Sequence, residues 1–469
     1  MIIQKAVKLA MEVFERKMTD FAGHADTKEL TADLALEFSS VLKDAFSEAG
    51  QRAYQTFIES YDLQEPTLEI NRQKLRWKMM SLKKFLTPFG MIEINRSLYQ
   101  SDVGGPVYCP LDDFWDMKGE FATEEVRQAV AFSMAHLTAD ETKQLFEKCA
   151  WFHPSATAIK NITDHIGDFV EAHADAIMPA IQQSEQIPPE TEILVASMDG
   201  VNVLLREQGV PQGRPAERPG LKAASSQNTA YKNAMAGVVS CYRMSSEPEE
   251  RPRRLQSRYI ARMPQERAVT FKEQFEQEVL AAEGKTLPET TKIFLCDGHR
   301  SIWSYAKDNP IYDDYEKLID FYHTTEHLSR ASEALFGKSS ERGHAWYHKY
   351  RKKLLEDDDG AEAVLRSIDY YGQKLGLPKS RRKKLAQERT FFRRNKDRMC
   401  YADFMVRGLP IGSGPVEAAC KSIVKTRLCR SGMRWSRQGG QRILYLRCFV
   451  KSNRWNEFWK HYIQLKRSA

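Results

Sequence analysis

Two apolar, β-branched runs in this chain close on the same dipeptide: ILVASMDG ends at Asp199–Gly200 and KIFLCDG at Asp297–Gly298. Runs of this kind, bounded by turn residues, read as strands. NAMAGVVSCYRM and RLQSRYIARM lie between them and read the same way. VTFKEQFEQEVLAAEG has the apolar spacing of an amphipathic helix, and a further helix around SIWSYAKD precedes a fifth strand, EKLIDFYH. The order strand, strand, strand, helix, strand, helix, strand predicts a mixed α/β sheet with an aspartate ending its first and fourth strands. The polar stretch GVPQGRPAERPGLKAASSQNTAYKN and the charged SSEPEERPR read as connections between the first three strands.

A third carboxylate has a different setting. In IGSGPVEAACKSIVK, Gly412 and Gly414 permit a tight turn, Ser413 can cap and Pro415 suits a first helical turn, so Glu417 stands at a helix start. Two strand-borne aspartates and a helix-borne glutamate can meet in one cluster if the two strands are neighbours. An all-carboxylate donor set suits hard divalent cations, Mg²⁺ or Mn²⁺. Two such ions serve phosphoryl transfer by activating an attacking oxygen and stabilising a leaving one. An Asp-Gly pair by itself is ordinarily a turn, and only the conjunction with the Glu417 helix gives these two their weight.

Lys421 and Lys425 follow Glu417 at steps of four and share its helical face, where they could meet phosphates. Arg427, Arg430, Arg434 and Trp435 continue the basic surface, with Trp435 suited either to stack on a base or to pack in the core. From Met399 to the end there are 14 Lys and Arg against 3 Asp and Glu, a local +11 that leaves −4 for the rest of a chain of net charge +7. That asymmetry suits a polyanionic partner; a solvated basic face is the plainer alternative. A second basic stretch, Arg381–Lys384, has the same two readings.

The remaining pattern divides the chain into five regions. Residues 1–85 read as mainly helical, and 86–188 as a small β segment around GMIEINRSLYQ followed by helices. In the latter, ADETKQLFEKCAWFHPSATAIKNITDHI breaks at His153–Pro154 and restarts under a Ser155 cap, the outline of a helix-turn-helix or of a plain helical hairpin. Residues 189–323 hold the first part of the sheet, 324–408 read as an all-helical insertion, and 409–469 complete the core with the Glu417 helix and basic helices. No apolar run approaches the roughly 18–20 residues of a membrane span, and the eight cysteines include no CxxC pair. This pattern predicts reduced thiols and a cytoplasmic location.

His323-Thr-Thr-Glu326-His327 fits the H-x-x-E-H string of zinc metalloproteases, with both histidines on one helical face and Glu326 as base. That reading leaves Asp199, Asp297, Glu417 and the basic C-terminus unused. The competing reading gives Asp320 and His323 a supporting role near the carboxylates.

The strand order, with Asp on the first and fourth strands and Glu on a later helix, resembles the ribonuclease H-like fold of retroviral integrases and DDE transposases. Asp320-Phe-Tyr-His323 matches the C/D-x-x-H signature of Mutator-like and related transposases. GLPIGSGPVEAACKSIVKTRLCRSGMRW with LRCFVKSNRWNEFW resembles the C-terminal signature of the ISKra family of bacterial insertion-sequence transposases, and GMIEINRSLYQ…PVYCPLDDFW its N-terminal region. Relatives often carry paired cysteines near the PLD segment, where this chain has only Cys109, so a zinc-stabilised subdomain is not expected.

The resemblance implies a ribonuclease H-like mixed sheet with an all-helical insertion, and Asp199, Asp297 and Glu417 as a triad for two Mg²⁺ or Mn²⁺ ions. It also implies hydrolysis at the ends of a DNA element and transfer of the freed 3′-OH to target DNA. The implied partners are double-stranded DNA and further copies of the chain in a dimer or larger assembly, in the cytoplasm at the nucleoid. A DNA-binding descendant that has lost catalysis would share these features.

Overall fold

The computed structural model describes residues 2–468 except 27, 30, 71, 116, 150, 151, 207–229 and 246–249. It divides into two compact units, Met1–Phe169 with Ile463–Ala469, and Val170–Tyr462. The segments read as connections between the first three strands fall largely in 207–229 and 246–249, outside the described residues.

The first unit opens with helices α1 (Ile2–Ala25) and α2 (Ala32–Glu59), the latter capped by Thr31, whose hydroxyl accepts from the Leu34 N–H. An antiparallel sheet follows, β1 (Thr67–Ile70), β2 (Gln73–Thr87) and β3 (Gly90–Ser101), in the order β1-β2-β3. β1, and β2 as far as Phe85, fall in the region read as mainly helical and are strands. β2 is exposed along most of its length and rich in Lys, Arg, Met and Leu, so it carries neither a period of two nor a β-rich composition. Cross-strand pairing with β3 decides its state. Short α3 (Pro110–Phe114), then α4 (Glu124–His136), α5 (Ala139–Cys149) and α6 (Ala156–Ala172) follow. The expected break between α5 and α6 is present, and Ser155 Oγ accepts from the Ala158 N–H at 3.1 Å.

The second unit begins with α7 (Ala174–Ser184) and contains a five-stranded mixed sheet: β4 (Ile193–Leu204), β5 (Tyr231–Arg243), β6 (Arg253–Arg262), β7 (Thr291–Cys296) and β8 (Glu316–Ile319). Its order is β6-β5-β4-β7-β8. β4, β5 and β6 pair antiparallel, while β4–β7 and β7–β8 are parallel. Helices α8 (Val269–Glu283) and α9 (Arg300–Asp308) connect β6 to β7 and β7 to β8. After β8 come α10 (Phe321–Phe336), α11 (Glu341–Glu356), α12 (Gly360–Lys374), α13 (Lys379–Asn395) and α14 (Tyr401–Val406). Then follow α15 (Gly414–Ala419), a π-helical stretch Cys420–Lys425, α16 (Thr426–Leu428), α17 (Arg437–Lys451) and α18 (Trp455–Ser468).

Both faces of the sheet are buried, which explains the continuous apolar runs. Alternate side chains of a strand point to opposite faces. Leu194, Ala196 and Met198 pack with Phe271, Phe275 and Val279 of α8 and Ile302 of α9. Ile193 and Val195 join Ile293, Leu295 and Leu318 under the helices α10–α14. The fifth strand is shorter than its sequence suggests. Asp320 accepts from the His323 N–H at 2.6 Å and caps α10, so β8 stops at Ile319.

An ionic cluster is sealed under this sheet. Glu278 of α8 is fully buried and receives Arg454 Nη1 at 2.9 Å, Arg454 Nη2 at 2.5 Å and Gln182 Nε2 at 2.8 Å. Arg454 also meets Glu185 at 2.5 Å, and Arg258 Nε lies 3.1 Å from the same carboxylate. Burial pushes the Glu278 carboxyl up, but the charge and hydrogen bonds of Arg454, with Gln182 and Arg258, outweigh it and hold the group below its ordinary 4.5. A carboxyl lowered in the folded state contributes stability above the unfolded value and loses it as pH falls through the folded one. Arg454→Met should cost about 3–5 kcal/mol in urea unfolding, because it strands a buried charge. A loss below about 1 kcal/mol, the scale of an exposed pair, would mean that the cluster is not what holds α8 and the start of α18.

Candidate active site

The register of the parallel strands places three aspartates abreast. Ala196 pairs with Phe294, so three residues further along each strand stand Asp199 and Asp297. Cys296 pairs with Ile319, so one residue further stand Asp297 and Asp320, and the Asp320 N–H donates to the Cys296 carbonyl at 2.8 Å. All three follow strand residues of the face covered by α10–α14, since Val195, Leu295 and Leu318 share their parity. Asp199 does not end its strand as expected: the β4–β7 ladder stops at Ala196–Phe294, but β4 continues beside β5 to Leu204, with Asp199 opposite Ala236, and the Met198 N–H turns to the Cys296 thiol at 3.2 Å. The carboxyl ends of parallel strands, beyond their last ladder bonds, are where open α/β sheets place ligand sites.

The three aspartates do different things. Asp199 accepts from the Gly200 N–H at 2.6 Å and from the Cys420 thiol at 3.4 Å. Asp297 accepts from the His299 N–H at 3.0 Å, and its carbonyl receives Trp303 Nε1 at 2.7 Å, which fixes the turn into α9. Asp320 is 1% exposed, and both its oxygens are engaged by main chain: Oδ1 by the His323 N–H and Oδ2 by the Ser413 N–H.

That last bond delivers Glu417. The Phe321 N–H donates to the Ile411 carbonyl at 2.9 Å, so the chain returning from α14 is tied to the start of α10 at two points. Gly412 is required here, because a Cβ would come within 2.8 Å of the Tyr322 ring. Ser413 occupies the cap position of α15 as expected, but its side chain makes no capping bond; its N–H serves Asp320 instead. Pro415 lies in the first turn and Glu417 is exposed. The π-helical stretch widens the next turn, and Arg447 of α17 donates to the carbonyls of Ser422 and Ile423, the latter at 2.8 Å. Single π turns of this kind recur at functional sites.

Electrostatics couple the cluster. Burial raises Asp199 above its ordinary 3.8, and the Asp297 charge adds to the rise against the Gly200 N–H, the Cys420 thiol and Lys425. Burial also raises Glu417 above 4.5, reinforced by Asp320, Asp199 and Glu326 and opposed by Lys421. Burial and the Asp199 charge push the Cys420 thiol up, which keeps it a neutral donor. Like charges held this way favour a proton or a cation. The donors, all carboxylate oxygens, fit a hard divalent ion. Their spacing is open: among the described residues no three His, Cys, Asp or Glu side chains close on a single point.

Lys421 and Lys425 are exposed on the Glu417 face, and Arg430 and Arg434 are exposed beyond them. Arg427 is buried rather than part of an exposed basic surface, and Trp435 takes the packing role that was one of its two readings. Arg427 is 2% exposed with its guanidinium 5.2 Å from the Trp435 ring centre. Trp435 donates Nε1 to the Leu428 carbonyl at 3.0 Å, and its main chain bonds to Leu204 and Arg206 at the end of β4. This pair is packing that anchors the helix ends. Arg381 donates to the Ala334 carbonyl at 2.8 Å, which engages part of the second basic stretch within the helical region.

His323 and His327 come together, with facing Nε2 atoms 3.3 Å apart. His327 Nδ1 lies 2.6 Å from Glu388 Oε2, and Phe391 stacks on the ring at 3.5 Å. Glu388, Phe391 and Cys420 escaped the sequence reading. Glu388 and Phe391 sit in a helix whose basic residues dominate its pattern, and Cys420 carries no spacing signal.

No family model matches the chain, and no curated protein matches it. One similar solved structure is the Drosophila P element transposase strand transfer complex, at 10% identity over 72% of this chain and 80% of that one, with a TM-score of 0.24. At that identity and TM-score the likeness carries no weight for fold or function.

Asp320→Asn keeps the side chain's shape but replaces one accepting oxygen with a donor, which cannot serve both main-chain N–H groups. Leaving one buried group unpaired should cost about 1–3 kcal/mol. Amide exchange at His323 or Ser413 should accelerate in the variant, and unchanged protection at both would refute the clasp.

Proposed function

We propose that the second unit is the ribonuclease H-like core of a DDE transposase of the ISKra kind, interrupted by the helices α10–α14. The observation that carries this reading is the register that sets Asp199 and Asp297 side by side just beyond the last β4–β7 ladder pair, with the Asp199 charge among those that raise Glu417. The sheet order, with its first three strands antiparallel and the fourth and fifth added parallel beside the first, supports the fold assignment.

Asp199, Asp297 and Glu417 would hold two Mg²⁺ or Mn²⁺ ions. The chemistry supplied by such ions when bound is activation of an attacking oxygen and stabilisation of a leaving one, in strand cleavage and then in strand transfer. Cys420 steadies one oxygen of Asp199 as a neutral donor, and the Asp320 clasp fixes the helix start that carries Glu417. Lys421, Lys425, Arg430 and Arg434 offer phosphate contacts beside the carboxylates. The partner is double-stranded DNA, element ends and target, and joining two ends calls for a dimer or larger assembly in the cytoplasm at the nucleoid. The zinc-protease alternative is disfavoured because Glu326, its required base, is exposed and paired with Arg330 at 3.0 Å.

Cation binding has a readout that needs no DNA. A carboxyl raised in the folded state penalises folding as pH climbs through its unfolded value, and the penalty is full above the folded one. Mg²⁺ or Mn²⁺ at neutral pH should therefore raise the melting temperature of the wild type but not of Asp199→Asn. Without cation, Asp199→Asn should melt at or above the wild type, and the cation effect should begin to fade above the ordinary carboxyl range as pH falls, because Asp199 and Glu417 are both raised. On labelled DNA bearing the element ends, the wild type should nick or join strands with Mg²⁺ or Mn²⁺, while Asp199→Asn, Asp297→Asn and Glu417→Gln should bind without cleaving. Salt-sensitive binding with no cleavage by the wild type would favour the DNA-binding protein that has lost its chemistry.

A further inference from the structure

The carboxylates leave unused a second cluster that lies against them. Glu388 of α13 is 7% exposed, and its Oε2 lies 2.6 Å from His327 Nδ1. His327 Nε2 faces His323 Nε2 at 3.3 Å. Phe391 stacks on His327 with an interplanar angle of 10°, and the same ring covers Gly298, where a Cβ would approach it to 2.3 Å. The cluster is thus walled against the turn that begins at Asp297, and His323 stands in the first turn of the helix that Asp320 caps.

Counting protons fixes its state. A carboxylate only accepts, so His327 donates Nδ1–H to Glu388 and, when neutral, has a bare Nε2. Two facing nitrogens in hydrogen-bond contact need one proton between them, and it must sit on His323 Nε2. His323 Nδ1 is then bare, and among the described residues no group pairs with it. Glu326 of the H-x-x-E-H string is paired with Arg330, and no third ligating side chain among the described residues closes on the two Nε2 atoms.

We propose that Glu388 and His327 form a relay that holds His323 in its Nε2–H tautomer and presents Nδ1 as a proton acceptor at the edge of the carboxylate site. A proton taken at His323 Nδ1 lets the Nε2 proton pass to His327 Nε2, and the positive charge comes to rest on an imidazolium already paired with Glu388. The reverse transfer restores the relay. Its proton donor, the attacking water or hydroxyl, rests on the phosphoryl-transfer reading; the tautomers do not.

The test is ¹⁵N spectroscopy of histidine-labelled full-length protein near pH 8, where free imidazoles are about 97% neutral, with signals assigned through His323→Gln and His327→Gln. The wild type should show His323 protonated at Nε2. In Glu388→Leu the acceptor for His327 Nδ1–H is gone, so the tautomers are no longer fixed and His323 should show Nδ1–H alongside Nε2–H. His323 found as Nδ1–H in the wild type, or held wholly as Nε2–H in Glu388→Leu, would overturn the relay. So would stoichiometric Zn²⁺ shifting both Nε2 signals, which would make the pair a metal site. In the nicking assay Glu388→Gln should slow the wild-type rate by about 10²-fold, the lower end of general-base contributions, and an unchanged rate would remove the relay from the reaction. Correct tautomers in a wild type that never nicks would instead refute the phosphoryl-transfer reading alone.

Discussion

The buried carboxylate of Asp320 holds together what the chain order separates. Its two oxygens accept main-chain N–H groups from His323 and Ser413, the start of the helical excursion α10–α14 and its return. A carboxylate meeting two backbone donors in a site closed to water makes charge-assisted bonds, and leaving either donor unpaired there is costly. The excursion can therefore fold as a body of helices without moving Glu417 away from the strand ends. Gly412 allows the close approach that the clasp needs, and the Phe321–Ile411 bond doubles it.

Around that point the sheet supplies direction and the helices supply cover. Parallel pairing of β4, β7 and β8 brings three aspartates to one level, and burial of alternate side chains under opposite helical layers leaves no freedom to slip by one residue. A slip would carry Asp199 to the α8 face, into the phenylalanine cluster. Hydrophobic burial thus sets the orientation of the polar groups, although it makes no contact with a ligand.

The site keeps acidic groups near one another at an electrostatic cost. Asp199 and Glu417 are raised by burial and by neighbouring carboxylates, with Lys425 and Lys421 as partial counterweights. Elsewhere in the same unit, buried charge is matched: Glu278 has Arg454, Gln182 and Arg258 around it. The contrast separates a structural ionic cluster, which is satisfied internally, from a cluster whose remaining charge calls for something from outside the chain.

Much of this was legible in the chain itself. The apolar runs, their turn residues and the helix between them are local patterns, and they yielded the five strands, Asp297 just past the end of the fourth and the glycine-bounded start of the Glu417 helix, but not that the first strand runs on past Asp199 to Leu204. Register, pairing partner and burial of long polar side chains were not legible, because each depends on residues remote in sequence. β2 lies in a region that reads as mainly helical and becomes a strand through β3; Arg427 reads as part of a basic surface and is buried beside Trp435, whose two readings, stacking or packing, the fold resolves at the end of β4. Asp320 reads as part of a strand and becomes a cap and clasp, and Glu388 reads as one acid in a basic helix until the fold sets it against His327. Periodicity records which side of an element is apolar, so the sequence alone determined the elements and their buried faces. Only the tertiary structure decided which donors meet which acceptors, since that choice is made by the distances that packing leaves between them.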